Sequence, residues 1–164
     1  MNWNKISNEL NEKFKLNTRV VVPDKLTSDI LNWYHSIDNV AFREELHYSD
    51  EDLQERWNKS NRQFVFLLDE SGPLAVHLGY DLEPNSDTYY IDTLATKMEG
   101  KGIGSMLTNY IKEYAKEEDY SELQLDTEAV NERGVLLRHF YEKNGFKLVH
   151  NDPDGNITMK LYLE

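Results

Sequence analysis

Apolar residues along this chain change their spacing several times, and each change marks an element. In residues 1–16, Trp3, Ile6, Leu10 and Phe14 recur every three or four positions, which puts them on one stripe of an N-terminal helix. Residues 19–22, with β-branched valines at 20, 21 and 22, are a short strand stopped by Pro23. Thr27 or Ser28 is placed to cap a helix that carries Ile30, Leu31, Trp33 and Tyr34. From about Ser49 a second, acidic helix turns Leu53 and Trp57 inward, and an irregular segment over 41–47 separates the two.

From Gln63 the helical period disappears. Residues 63–68, apolar without a break from Phe64 to Leu68, are expected to be a buried strand, 69–72 a hairpin turn, and 73–80 the returning strand. After a turn over 83–87, a third strand runs from Thr88 to Thr96, completing an antiparallel meander. On that strand Tyr90, Asp92 and Leu94 are expected to share one face. Helical spacing returns with Ile103, Met106, Leu107, Tyr110, Ile111 and Tyr114. A strand over 123–127, a helix over 135–143 and strands over 145–149 and 157–162, joined by the turn 151–155, close the chain. A strand–helix–strand unit inside an otherwise antiparallel pattern predicts an α+β fold: a mixed, mostly antiparallel sheet flanked by helices. Residues 1–164 read as one domain, with no repeat and no linker.

Composition removes several function classes. No stretch approaches the roughly 20 apolar residues that span a bilayer, and the start lacks a secretion signal, so no membrane role and a cytoplasmic setting are expected. The chain has no cysteine, which excludes disulfides, thiolate metal ligands and a cysteine nucleophile. The five histidines lack paired ligand spacing, so no metal is expected. A net charge of −12 disfavours nucleic acid and suits a cationic partner, and it also serves plain solubility.

The segment Gly100-Lys101-Gly102-Ile103-Gly104-Ser105 lies between a strand and a helix. The first amides of a helix have no internal partner, and the helix dipole adds positive charge there. Glycines at alternate positions let a phosphate approach those amides, and Lys101 adds a full charge. The spacing matches neither the nucleotide-triphosphate loop nor the dinucleotide fingerprint.

With Tyr141-Glu142-Lys143-Asn144-Gly145-Phe146 downstream, the segment Glu99-Gly100-Lys101-Gly102-Ile103-Gly104 resembles the GNAT superfamily of acetyltransferases. That family carries a Gln/Arg-x-x-Gly-x-Gly/Ala loop and an aromatic-rich helix ending in Tyr-Glu-Lys-x-Gly-Phe. The element order is similar too, from about Gln63 onward. Three departures stand out: Glu99 occupies the usual Gln/Arg position, the connection between Thr96 and Gly100 is about two residues shorter than usual, and the stretch from Asn131 to Tyr141 is about three residues longer.

The resemblance implies an acetyl-CoA-dependent N-acetyltransferase that moves an acetyl group directly to an amine; the alternative is a silent acyl-CoA-binding sensor. It implies that backbone groups of Leu94, Ala95 and Thr96 face the pantetheine arm and thioester. The amides of Gly100, Lys101, Gly102, Ile103, Gly104 and Ser105 would hold the pyrophosphate, with Asn131 as a further cofactor contact. Tyr141 would protonate the departing thiolate. Because an amine attacks only when unprotonated, a base is required, and Asp92 and Tyr90 are the candidates on the third meander strand. Glu44, Glu45, Asp50, Glu51 and Asp52 either attract a cationic acceptor or form a solvated face. The N-terminal helix is a candidate element of a homodimer.

Overall fold

The computed structural model describes residues 2–98, 101–129 and 137–164. Five helices and seven strands follow in the order α1 (Lys5–Phe14), β1 (Arg19–Val21), α2 (Ser28–Ala41), α3 (Asp50–Trp57), β2 (Gln63–Asp69), β3 (Gly72–Asp81), β4 (Thr88–Thr96), α4 (Ile103–Glu117), β5 (Glu122–Glu128), α5 (Leu137–Lys143), β6 (Lys147–Asn151) and β7 (Asn156–Tyr162). A 3₁₀ turn, Glu44–Leu46, interrupts the irregular segment between α2 and α3.

The strands form one sheet in the order β1-β2-β3-β4-β5-β7-β6, and only β4 and β5 pair in parallel. Helices cover both faces. Trp3, Ile6 and Leu10 around α1 pack with Leu107 and Ile111 of α4 over one face. Ile30, Tyr34 and Ile37 of α2 pack with Leu53 of α3 over the other. This explains the unbroken apolar run of β2: Val65 and Leu67 enter the first cluster, Phe64 and Phe66 the second. It also places Trp3, Ile6 and Leu10 of the α1 stripe in this chain's own core.

Local chemistry stops and starts the elements as the pattern implies. Thr27 caps α2 by accepting from Ile30 N at 3.4 Å. Ser49 and Asp52 form a reciprocal capping box on α3, at 2.9 and 3.1 Å.

Of the face expected for Tyr90, Asp92 and Leu94, Tyr90 and Asp92 keep together beside Tyr80, and Leu94 leaves it. Leu78 opposes Thr93 while Gly79 opposes Ile91, so Asp92 is the extra residue of a β-bulge. The bulge flips the alternation of β4. Leu94 packs with the α1/α4 cluster, whereas Ala95 belongs to the α2/α3 cluster. Asp92 and Thr93 instead stand together, with Thr93 Oγ1 donating to Asp92 Oδ1 at 3.2 Å.

Across the sheet from α2, His77 is fully buried. Its Nδ1 donates to the Thr93 carbonyl at 3.0 Å, and its Nε2 accepts from the Tyr89 hydroxyl at 2.7 Å. Burial pushes its pKa down to about 4, so the ring is neutral. No helix among the described residues is long and apolar enough to cross a membrane.

Candidate active site

The parallel pairing of β4 with β5 covers only Thr88↔Glu122, Tyr89↔Leu123 and Tyr90↔Gln124, although β4 continues to Thr96 and β5 to Glu128. Beyond Tyr90 the strands part. Lys97 N donates to the Leu74 carbonyl on β3 at 2.9 Å. By antiparallel alternation Ala95 also bonds towards β3, while Leu94 and Thr96 turn their N–H and C=O groups into the gap.

A cavity of about 1040 Å³ occupies this gap and is lined by Leu94, Ala95 and Thr96. At one end it reaches the start of α4, where Gly102, Ile103, Gly104 and Ser105 line it. Gly102 takes φ +80° and provides no side-chain cap. The first helical hydrogen bond is Met106 N to Gly102 O at 3.1 Å, which leaves the amides of Ile103, Gly104 and Ser105 without intrahelical partners. Three free donors at the positive end of a 15-residue helix suit a phosphate ester. Lys101 is exposed and does not line the cavity. Gly100 and Asn131 lie outside the described residues.

Gly104 also faces the neighbouring helix: a Cβ there would stand 3.1 Å from Phe140 Cζ. Gly104→Val is therefore expected to weaken coenzyme A binding at least tenfold, by crowding the amides. Calorimetry on the folded variant checks this, and unchanged affinity would remove the pyrophosphate from this helix.

Tyr141 lines the middle of the cavity, its ring held edge-on by Phe140 and Phe146. Burial pushes its pKa up to about 12. Its hydroxyl makes no hydrogen bond with another described residue.

The opposite end is built from α2, α3 and the segment between them. Asp92 lines it, and Tyr90 does not; the Tyr90 hydroxyl donates to Asp126 on β5 at 2.9 Å. Asp92 is the centre of a network that sequence reasoning missed. It accepts from Tyr48 Oη at 2.6 Å, from Arg56 Nε at 2.9 Å and from the Tyr80 hydroxyl. These partners stand 44, 36 and 12 residues from Asp92, and no motif links them.

The acidic cluster divides in the fold. Asp50 meets His35 at 2.6 Å, and Asp52 is engaged in the cap of α3. Glu45 and Asp52 line the cavity with Asp126 and Glu128 of β5, and Glu44 does not. Arg43 bridges two of these acids, reaching Glu45 at 3.2 Å and pairing with Glu128 across the mouth.

The model of the acetyltransferase (GNAT) family matches residues 27–146, well over half of the chain. No curated protein matches it by sequence. Among solved structures, the PaiA N-acetyltransferase of Thermoplasma acidophilum, in complex with coenzyme A, is similar at 19% identity and TM-score 0.68, over 88% of this chain and 99% of that one. The ribosomal-protein-S18-alanine N-acetyltransferase of Escherichia coli is similar at 16% identity and TM-score 0.68, over 90% and 94%. An aminoglycoside 6′-acetyltransferase type Ii is similar at 19% identity and TM-score 0.70, over 87% and 96%. At these identities the likeness is one of fold.

Proposed function

Because the chain belongs to the acetyltransferase (GNAT) family and is an acyltransferase, we propose that it moves an acetyl group from acetyl-CoA directly to the nitrogen of an amine. The observation that carries this reading is a single cavity joining the free amides of α4, the Tyr141 hydroxyl and the Asp92 network. No cysteine is present to take the acyl group on the way.

The amides of Ile103, Gly104 and Ser105 would hold the pyrophosphate, with Gly100, Lys101, Gly102 and Asn131 assigned to the same ligand. The unpaired backbone of Leu94 and Thr96 would hold the pantetheine arm, beside Ala95. Acetyl-CoA, when bound, supplies an electrophilic thioester carbonyl. Tyr141, protonated throughout the neutral range, donates to the departing sulfur. An ammonium of pKa near 10 must lose a proton before it attacks. Asp92 is the proton acceptor of this reading, since Tyr90 is turned to Asp126.

The neighbours named above act on an aminoglycoside and on a ribosomal-protein alanine, so the shared fold leaves the acceptor open. The acids at the cavity end favour a cationic amine in a cytoplasmic setting. Attraction between surface charges fades as the screening length shortens to about 8 Å at physiological ionic strength. We expect kcat/KM for the best amine to fall several-fold as salt rises, and Glu45→Gln to raise its KM about twofold to threefold. A salt series on both proteins checks this, and a rate indifferent to salt would exclude steering. The reading itself is tested by thiol release from acetyl-CoA with a mixed panel of amines. Coenzyme A binding without thiol release would leave a silent binding module.

A further inference from the structure

Asp92 is hard for a substrate to reach. Its side chain is 3% exposed, and four donors already occupy it: the hydroxyls of Tyr48, Thr93 and Tyr80 and Nε of Arg56. An amine arriving at the carboxylate would have to displace one of them, leaving a buried donor unpaired. Of the four, Arg56 and Tyr80 do not line the cavity, whereas Thr93 and Tyr48 do. The Thr93 hydroxyl is shared with the buried Tyr34 hydroxyl, 3.1 Å away. Tyr48 is left. It gives its proton to Asp92, so the lone pairs of its oxygen are available to accept from an N–H group.

Tyr48 is also held in place. Its ring stacks on Tyr34 at 5.9 Å with 8° between planes, and the Arg56 guanidinium sits 4.0 Å from its centroid. Its backbone N–H donates to Asp38 Oδ2 at 3.0 Å. The charged and titratable groups around it are Arg56 from α3, Asp92 and Tyr90 from β4, Tyr80 from β3, and Tyr34 and Asp38 from α2. Burial first, and then the nearby Asp92 charge, push its pKa up and keep it a phenol.

Resting on the reading of Asp92 as the proton's destination, we propose that the Tyr48 hydroxyl meets the acceptor nitrogen and relays its proton to Asp92. The nitrogen lone pair forms the new N–C bond, and the C–S bond breaks with its electrons on sulfur. An ammonium first passes its extra proton along Tyr48 and Asp92 to solvent; as the neutral amine attacks, its N–H proton passes to Tyr48 Oη while the phenolic proton passes to Asp92 Oδ1. Tyr48 is a phenol again, Asp92 releases its proton to solvent, the sulfur takes the proton of Tyr141, and Tyr141 regains one from solvent. The phenol thus lets a buried carboxylate accept a proton without losing its other donors.

The test compares the wild type, Tyr48→Phe, Asp92→Asn and the double variant with the best amine. Each single change is expected to lower kcat about a hundredfold. The double variant should be no slower than the worse single, because both act in one proton path. Calorimetry in the presence of coenzyme A should show amine affinity falling about threefold to tenfold in Tyr48→Phe, the loss of one hydrogen bond. A slow Asp92→Asn beside a Tyr48→Phe within threefold of wild type would overturn the relay and leave Asp92 in direct contact with the amine. Two variants of normal kcat, or losses that multiply in the double variant and track its Tm, would also overturn it. A wild type that releases no thiol with any amine would bring down the transferase reading, and the relay with it.

Discussion

Replacing Tyr141 by phenylalanine will lower kcat about a hundredfold or more and leave affinity for coenzyme A within about twofold. The ring is clamped between Phe140 and Phe146 and makes the packing contribution, which phenylalanine keeps. Only the hydroxyl is lost, and it makes no hydrogen bond with another described residue, so no structural bond goes with it. Burial pushes its pKa up to about 12, so it carries its proton at any pH where the protein works. A leaving thiolate without a donor must depart as an anion into a largely apolar cavity, which is the costly alternative. Steady-state rates, with chemistry shown to limit turnover, and calorimetry of the same variant separate the two effects. A phenylalanine variant that keeps most of its kcat would return Tyr141 to the core.

The second large effect concerns a residue remote from the ligand. Gly79→Ala is expected to cost about 3 kcal/mol and lower Tm by about 10 °C. A Cβ at Gly79 would lie 2.0 Å from Tyr89 Oη and 2.3 Å from its Cζ. Tyr89 has nowhere to retreat. It is completely buried, bonded to His77 at 2.7 Å, and packed against Tyr114 and Tyr120 with ring centroids 5.4 and 5.3 Å away. The strain would fall on the β3–β4 register beside the bulge that sets Asp92. Thermal and urea unfolding measure the loss, and an unchanged Tm would mean that Tyr89 repacks freely.

Much of this architecture was legible because it repeats. The meander strands, the helix after Gly104 and the stripe of α1 each rest on several residues in period, and β4 spans Thr88–Thr96 as expected. The glycine segment was legible because a helix entry without a side-chain cap leaves a recognisable composition. The bulge at Asp92 was not. A one-residue slip in register changes no residue type, yet it moved Leu94 to the other face. The partners of Asp92 were hidden for a related reason: Tyr48 and Arg56 lie on elements whose placement over β4 depends on the whole α2/α3 cluster. The acidic residues between 44 and 52 looked like one feature, and the fold gave them separate duties as helix cap, ion pair and cavity wall.

The brief pairing of β4 with β5 has a mechanical consequence. Past Tyr90 no ladder hydrogen bond ties the strands, so varying the gap between them breaks none. Any movement of the two halves of the sheet against each other would pivot at Thr88–Tyr90 and Glu122–Gln124, opposed by the Tyr90 hydroxyl bond to Asp126. From Tyr90 to Thr96 the lever arm is about 20 Å. A rotation of roughly 3° at the pivot therefore moves the tip by about 1 Å, a displacement large enough to matter to reacting atoms. The packing of Tyr89 against Leu123, out of reach of any ligand, sets the gauge of the gap.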